Sequence, residues 1–144
     1  MTDVFWLAWA AGIFDGEGSV FLIRQSNRGK RGTGKNDRLV VKVVNTDPRM
    51  LVRLREIAGG RISSQRIRGT RRPSWEWITT GVSAKAFLRM VRPWLVVKGE
   101  QADVALTFTT GVRGGGRGHF LDPAEDARRT VIQQRLRVLK TEVS

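Results

Sequence analysis

The sequence predicts an α+β domain in which a four-stranded antiparallel sheet carries helices on one face and leaves the other free. Three observations predict it: an element order of α-β-β-α-β-β-α, strands studded with arginine and lysine, and a first helix that is apolar nearly all round. An antiparallel sheet can bury one face and offer the other to a partner. A basic free face suits a nucleic-acid groove.

Residues 4–14 form the first helix, whose apolar residues surround the axis and so imply burial on more than one side. Ala8, Ala11 and Gly12 fall at i, i+3 and i+4, where lack of bulk lets a second helix backbone approach. Asp15 and Glu17 follow at once, set between glycines. The unpaired carbonyls of a helix C-terminus carry about half a negative charge, which disfavours acids there. A divalent cation is the simplest compensation.

Residues 19–24 are rich in β-branched and aromatic side chains and read as a strand entering a Gly-, Lys- and Arg-rich linker over 26–36. Residues 38–44 are the second strand, with Arg38 and Lys42 on one side and Leu39, Val41 and Val43 on the other. Asp47 and Pro48 open a helix as N-cap and first-turn proline; Met50, Leu51, Leu54, Ile57 and Ala58 keep helical spacing until Gly59 and Gly60 end it. Residues 61–68 and 74–80 repeat the hairpin around a turn at 69–73, with Arg71 and Arg72 near its tip.

Ser83 caps a helix running to residue 91, Pro93 interrupts, and 97–109 form another helix around Ala102, Val104, Ala105 and Leu106. After the glycine-rich stretch 111–118 and His119, the run Asp122-Pro123-Ala124-Glu125 starts a final helix of capping-box type, which Ala127, Val131 and Leu139 continue. The organisation is therefore a core over 1–110, a flexible Gly/Arg linker over 111–121 and a C-terminal helix over 122–144 packing on that core.

A chain of 144 residues with 40% hydrophobic content supports one domain with its own core. Its 26 Lys and Arg against 13 Asp and Glu give +13, which points to a polyanionic partner. Residues 20–80 hold 15 of those cations and 4 acids, a net +11. Evenly mixed charge would serve solubility as well, so this concentration marks a binding surface.

The longest apolar run is eleven residues, short of the ~20 that span a bilayer, so no membrane partner is expected. The start Met1-Thr2-Asp3 lacks the basic region of a secretory signal, and zero cysteines exclude disulfides and thiolate metal sites. A reducing, intracellular setting follows as an expectation. A single histidine excludes a histidine-rich zinc cluster and leaves no convincing protease triad. Any metal is then held by oxygen ligands, which suits Mg²⁺.

The stretch Ala10-Ala11-Gly12-Ile13-Phe14-Asp15-Gly16-Glu17-Gly18 resembles the motif of the single-motif LAGLIDADG homing endonucleases, with Ala10 replacing the first leucine. The resemblance continues through Val43-Val44-Asn45-Thr46-Asp47 and Pro93-Trp94-Leu95-Val96-Val97-Lys98-Gly99-Glu100-Gln101. It implies the αββαββα LAGLIDADG endonuclease-like fold, with the sheet on DNA and helices behind it. It also implies a homodimer, its motif helices packed along the two-fold axis through Ala8, Ala11, Gly12 and Asp15, the acid being structural at the helix end.

Under the same resemblance Glu17 of each subunit holds Mg²⁺ beside the scissile phosphates, with the Gly16 carbonyl as a further ligand. Mn²⁺ or Ca²⁺ can occupy that site. Asn45 matches the family's polar position that orders water near the metal, and Lys98 its basic position beside the scissile phosphate. Glutamate in place of the commoner aspartate sets the carboxylate one methylene further from the backbone.

The candidate groove contacts are Arg24, Gln25, Arg38, Lys42, Gln65, Arg66 and Arg68 on strands, with Arg28, Lys30, Arg31, Arg71 and Arg72 reaching from loops. A one-residue slip in register exchanges the faces, which decides between Gln65 and Arg66. Trp75 and Trp77 share one strand face and read as core, because duplex DNA offers no unstacked base. Glu76, opposite them, could accept from a cytosine amino group.

The expected function is a homodimeric, divalent-metal-dependent, site-specific endonuclease acting on double-stranded DNA at a long pseudo-palindromic target, with no small-molecule substrate. The alternative is a catalytically inactive DNA-binding regulator or intron-splicing maturase using the same basic saddle. Acids facing phosphates favour the nuclease, since a pure binder gains nothing from them.

Overall fold

The computed structural model describes residues 3–24, 36–65, 72–109 and 121–143. Helix α1 spans Val4–Glu17, followed by strands β1 (Gly18–Ile23) and β2 (Arg38–Asn45), helix α2 (Pro48–Ala58), and strands β3 (Arg61–Gln65) and β4 (Ser74–Thr80). Helix α3 (Gly81–Val91), a 3₁₀ turn at Arg92–Trp94, helix α4 (Gly99–Leu106) and helix α5 (Pro123–Val143) complete the chain. The four strands form one antiparallel sheet in the order β1-β2-β4-β3.

Register sorts the strands into two faces. Gly18 pairs with Val43 and Val20 with Val41, while Val43 pairs with Trp77 and Asn45 with Trp75. Side chains of paired residues share a face, so Val20, Leu22, Leu39, Val41, Val43 and Trp77 point together into the core. Ala10, Ala11 and Phe14 of α1 meet them, joined by Phe87, Leu88 and Val91 of α3. The Phe87 ring packs edge-on against both Phe14 and Trp77, at centroid distances of 5.8 and 5.1 Å.

Several boundaries depart from the sequence expectation for visible reasons. Helix α1 runs through Asp15 and Gly16 to Glu17, because the Gly18 N–H still donates to the Phe14 carbonyl. Gly18 is required there: a Cβ would lie 2.3 Å from Phe14 Cδ2 and 2.8 Å from the Phe14 carbonyl oxygen. Helix α3 begins directly off β4 with Thr80 as N-cap, so Ser83 lies inside its first turn. Helix α4 starts at Gly99 with Lys98 as its N-cap, and the N–H groups of Val96, Val97 and Lys98 ahead of it all donate to Asp15.

The C-terminal helix is part of the core, since Ile132 and Leu136 join the same apolar cluster as α1 and the sheet. It lies along the free edge of β1, where Gln133 Nε2 donates to the Leu22 carbonyl at 3.0 Å. That bond occupies an edge acceptor that would otherwise invite a foreign strand. At its other end, α5 is tied down by charge: Asp37 accepts from Arg24 at 3.0 Å and from Arg129 at 3.1 Å, and Arg129 also binds Glu125 at 3.0 Å. The Asp37 and Arg129 side chains are 1% and 3% exposed. Glu125, expected in a capping box, serves this network instead, while Asp122 Oδ1 accepts from the Ala124 N–H at 2.9 Å.

Candidate active site and nucleic-acid interface

The two acids at the end of α1 have different surroundings. Asp15 turns inward to the segment that links the 3₁₀ turn to α4: its Oδ2 accepts from Val96 N at 2.8 Å, and its Oδ1 from Val97 N at 3.1 Å and Lys98 N at 2.9 Å. Three donors neutralise a carboxylate that the helix end disfavours, so the expected electropositive compensation for Asp15 is supplied by the chain itself. Glu17 is exposed and makes no hydrogen bond or ion pair among the described residues.

Lys98 joins the two. Its Nζ donates to the Asp15 carbonyl oxygen, satisfying one of the open carbonyls at the end of α1. Burial is the largest influence on its ammonium and lowers its pKa below the ordinary 10.5; Asp15 and Glu17 oppose this, and the positive charge of Lys140 adds to it. Asn45 closes β2 at the same end of the sheet, two residues beyond the partner of Gly18. Its Oδ1 accepts from Asp47 N at 2.8 Å, at the entry to α2, which leaves the amide N–H₂ as its available donor.

Among the described residues there is no group of three or more His, Cys, Asp or Glu able to hold a metal ion. One chain therefore offers a hard cation the Glu17 carboxylate and backbone oxygen at Gly16, a donor set of the right chemistry and too few members.

The outward face of the sheet follows from the same register. Arg38, Val40, Lys42 and Val44 of β2 stand beside Ser19, Phe21 and Ile23 of β1 and Glu76 and Ile78 of β4, with Arg61 and Ser63 on β3. Lys42 lies 5.5 Å from the Phe21 ring centroid and 3.8 Å from Glu76 Oε2. Glu76 is 6% exposed. It is thus engaged with Lys42 rather than presented alone for base contact. Arg61, paired with Ile78, faces outward without having been expected; its position at the start of a strand directly after Gly59 and Gly60 was the available signal.

Arg24 departs from the expected groove position. It continues the inward parity of Val20 and Leu22, and its guanidinium binds Asp37, Asp126 and Thr130. Arg72 is exposed at the start of the segment leading into β4, and Gln65 pairs in register with Ser74. Gln25, Arg28, Lys30, Arg31, Arg66, Arg68 and Arg71 lie outside the described residues, as do His119 and the linker at 111–120.

The small-residue face of α1 is also rearranged. Ala11 is fully buried in the chain's own core beside Ala10 and Phe14, and Ala8 is half-buried. The i, i+3, i+4 spacing of Ala8, Ala11 and Gly12 is compatible with packing inside the chain as well as between chains. The side of α1 turned away from the core carries Phe5, Gly12 and Gly16, and a Cβ at either glycine would meet nothing within 4 Å. Phe5 is 82% exposed, and Val96, in the segment held by Asp15, 89%. The spacing Gly12-x-x-x-Gly16 was the sequence signal for this open stripe.

No protein-family model matches the chain, and no curated protein does. Solved structures do. The homing endonuclease I-CvuI, in complex with its target in the presence of calcium, superposes with a TM-score of 0.73 at 20% identity over 94% of this chain and 82% of that one. The archaeal intron-encoded homing endonuclease I-Vdi141I, complexed with DNA, gives 0.70 at 18% identity over 94% and 84%. The meganuclease I-SmaMI, bound to uncleavable DNA, gives 0.63 at 17% identity over 94% of this chain but 44% of its own. An α1-β1-β2-α2-β3-β4-α3 unit with this sheet, bearing the motif at residues 10–18, thus has the fold of the LAGLIDADG homing endonucleases.

Proposed function

We propose that the protein is a homodimeric, divalent-metal-dependent endonuclease that hydrolyses phosphodiester bonds in double-stranded DNA at a long pseudo-palindromic site. The observation that carries this reading is Glu17: an exposed, unpartnered carboxylate on the last turn of α1, beside the anchored Lys98 ammonium and directly before β1, the end of the sheet taken as the catalytic end. A carboxylate left free against a polyanion repels it unless a cation intervenes.

Glu17 and the Gly16 carbonyl would hold the cation from one subunit, and Glu17 of a second copy would complete the set. Held there, a divalent cation would supply Lewis-acid chemistry at a phosphoryl oxygen and at the leaving alkoxide. The Lys98 ammonium, held in place by the Asp15 carbonyl, presents its other hydrogens to the phosphate, and the Asn45 amide donates to a water beside it. The open stripe of Gly12 and Gly16 is where a second α1 would pack, with Phe5 and Val96 as flanking apolar surface. That this chain spans under half of I-SmaMI, whose length leaves room for a second such unit, supports the same reading.

The test is incubation with a randomised duplex library and Mg²⁺ followed by sequencing of cut ends, with Glu17→Gln alongside. Defined ends from the wild type and none from the variant are expected. Tight binding of one duplex that stays intact with every divalent ion would instead identify a non-cutting DNA binder. Sedimentation of Gly12→Leu tests the dimer: the open space lets the monomer fold, and the added bulk abolishes association.

A further inference from the structure

We infer that α5 adds a row of DNA-backbone contacts to the proposed interface, with Arg137 and Lys140 each engaging a phosphate on the flank of the catalytic end. This rests on the reading of the chain as a DNA-binding endonuclease and extends the contact surface beyond the sheet. The path of α5 carries the first part. Asp126 and Thr130 bind Arg24, Gln133 binds the Leu22 carbonyl, and Arg137 and Lys140 then line a groove with residues 20–23 of β1 and Arg24. Helix α5 thus runs back along β1, from its outer end toward Gly18.

Lengths agree with that direction. Seven helical residues from Gln133 to Lys140 rise about 10 Å, and four strand residues from Leu22 to Gly18 span about 13 Å. Lys140 therefore ends level with the catalytic end, near enough to Lys98 for its charge to be felt there. The groove has a volume of about 430 Å³ and includes Phe21 and Ile23, which belong to the outward sheet face. A backbone lying on that face has direct access to it.

Charge on α5 is divided sharply. Arg128 is bound by Glu125, Arg129 by Asp37 and Glu125, and Arg135 by Glu100. Arg137 and Lys140 are exposed and have no acidic partner among the described residues. Cations without partners on a groove that opens toward a polyanion site are available to displace counterions from phosphates.

The experiment measures binding of the full chain to a fluorescein-labelled random-sequence duplex across a salt series. Removing one cation from a phosphate makes the dependence of log affinity on log salt shallower by about one. Arg137→Gln with Lys140→Gln should therefore flatten it by about two per subunit, with an unchanged unfolding midpoint. Arg135→Gln, whose cation Glu100 already neutralises at 3.0 Å, should leave the slope alone. A double variant with wild-type slope overturns the inference while the DNA-binding reading stands, as does equal flattening by Arg135→Gln. A wild type without salt-dependent duplex binding overturns both.

Discussion

Replacing Asp15 and Glu17 one at a time separates the anchored acid from the exposed one, proposed to hold the metal, within three residues of chain. Asp15→Ala removes the acceptor of three backbone N–H groups. Those of Val96 and Val97 sit in exposed surroundings where water substitutes, costing about 0.5 kcal/mol each. The Lys98 N–H is half-buried and its bond is charge-assisted, which is worth about 2 kcal/mol. Removing an acid from a helix C-terminus returns about 0.5 kcal/mol, so the net loss is about 2–3 kcal/mol. The midpoint in urea falls with the slope unchanged, and Tm drops by about 10 °C. Glu17→Gln, with no partner to lose, stays within about 0.5 kcal/mol of wild type and abolishes the proposed cleavage. If Asp15→Ala melts with the wild type, or Glu17→Gln lowers the midpoint as much, the division of roles is wrong.

Three further outcomes are expected. Gly18→Ala drives a Cβ into Phe14 at 2.3 Å and destabilises by about 1–3 kcal/mol; a wild-type urea midpoint would contradict this. Arg129→Met leaves the 1%-exposed Asp37 carboxylate with Arg24 and without its second cation, costing about 3 kcal/mol in chemical denaturation; a shift under about 0.5 kcal/mol would show the network to be dispensable. Burial lowers the Lys98 pKa below 10.5, so between its folded value and 10.5 the unfolded chain binds more protons and stability rises with pH. Urea midpoints measured through that range should rise for the wild type relative to Lys98→Met; parallel curves would refute it.

The element order was legible because each boundary has local chemistry behind it. Asp47 and Pro48 do start α2, with Asp47 Oδ1 on the Arg49 N–H at 2.9 Å, and Gly59 ends it. The alternation of 38–44 does place Arg38 and Lys42 opposite Leu39, Val41 and Val43. What local pattern could not carry was the partner of each polar group. Arg24 and Asp126 are 102 positions apart, and no spacing rule connects them. Likewise the cations of α5 look alike as a string until Asp37, Glu100 and Glu125 select which of them are neutralised.

The sequence alone determined the αββαββα framework, the concentration of positive charge over 20–80 and the pair of acids at the end of the first helix, because periodicity, caps and charge are properties of neighbouring residues. Only the tertiary structure decided that Asp15 closes a turn 81 residues away while Glu17 stays free, and that Gly12 and Gly16, rather than Ala11, form the open side of α1. The reason is physical: a helix has several faces of small residues, and which one is buried depends on where the sheet and α3 lie.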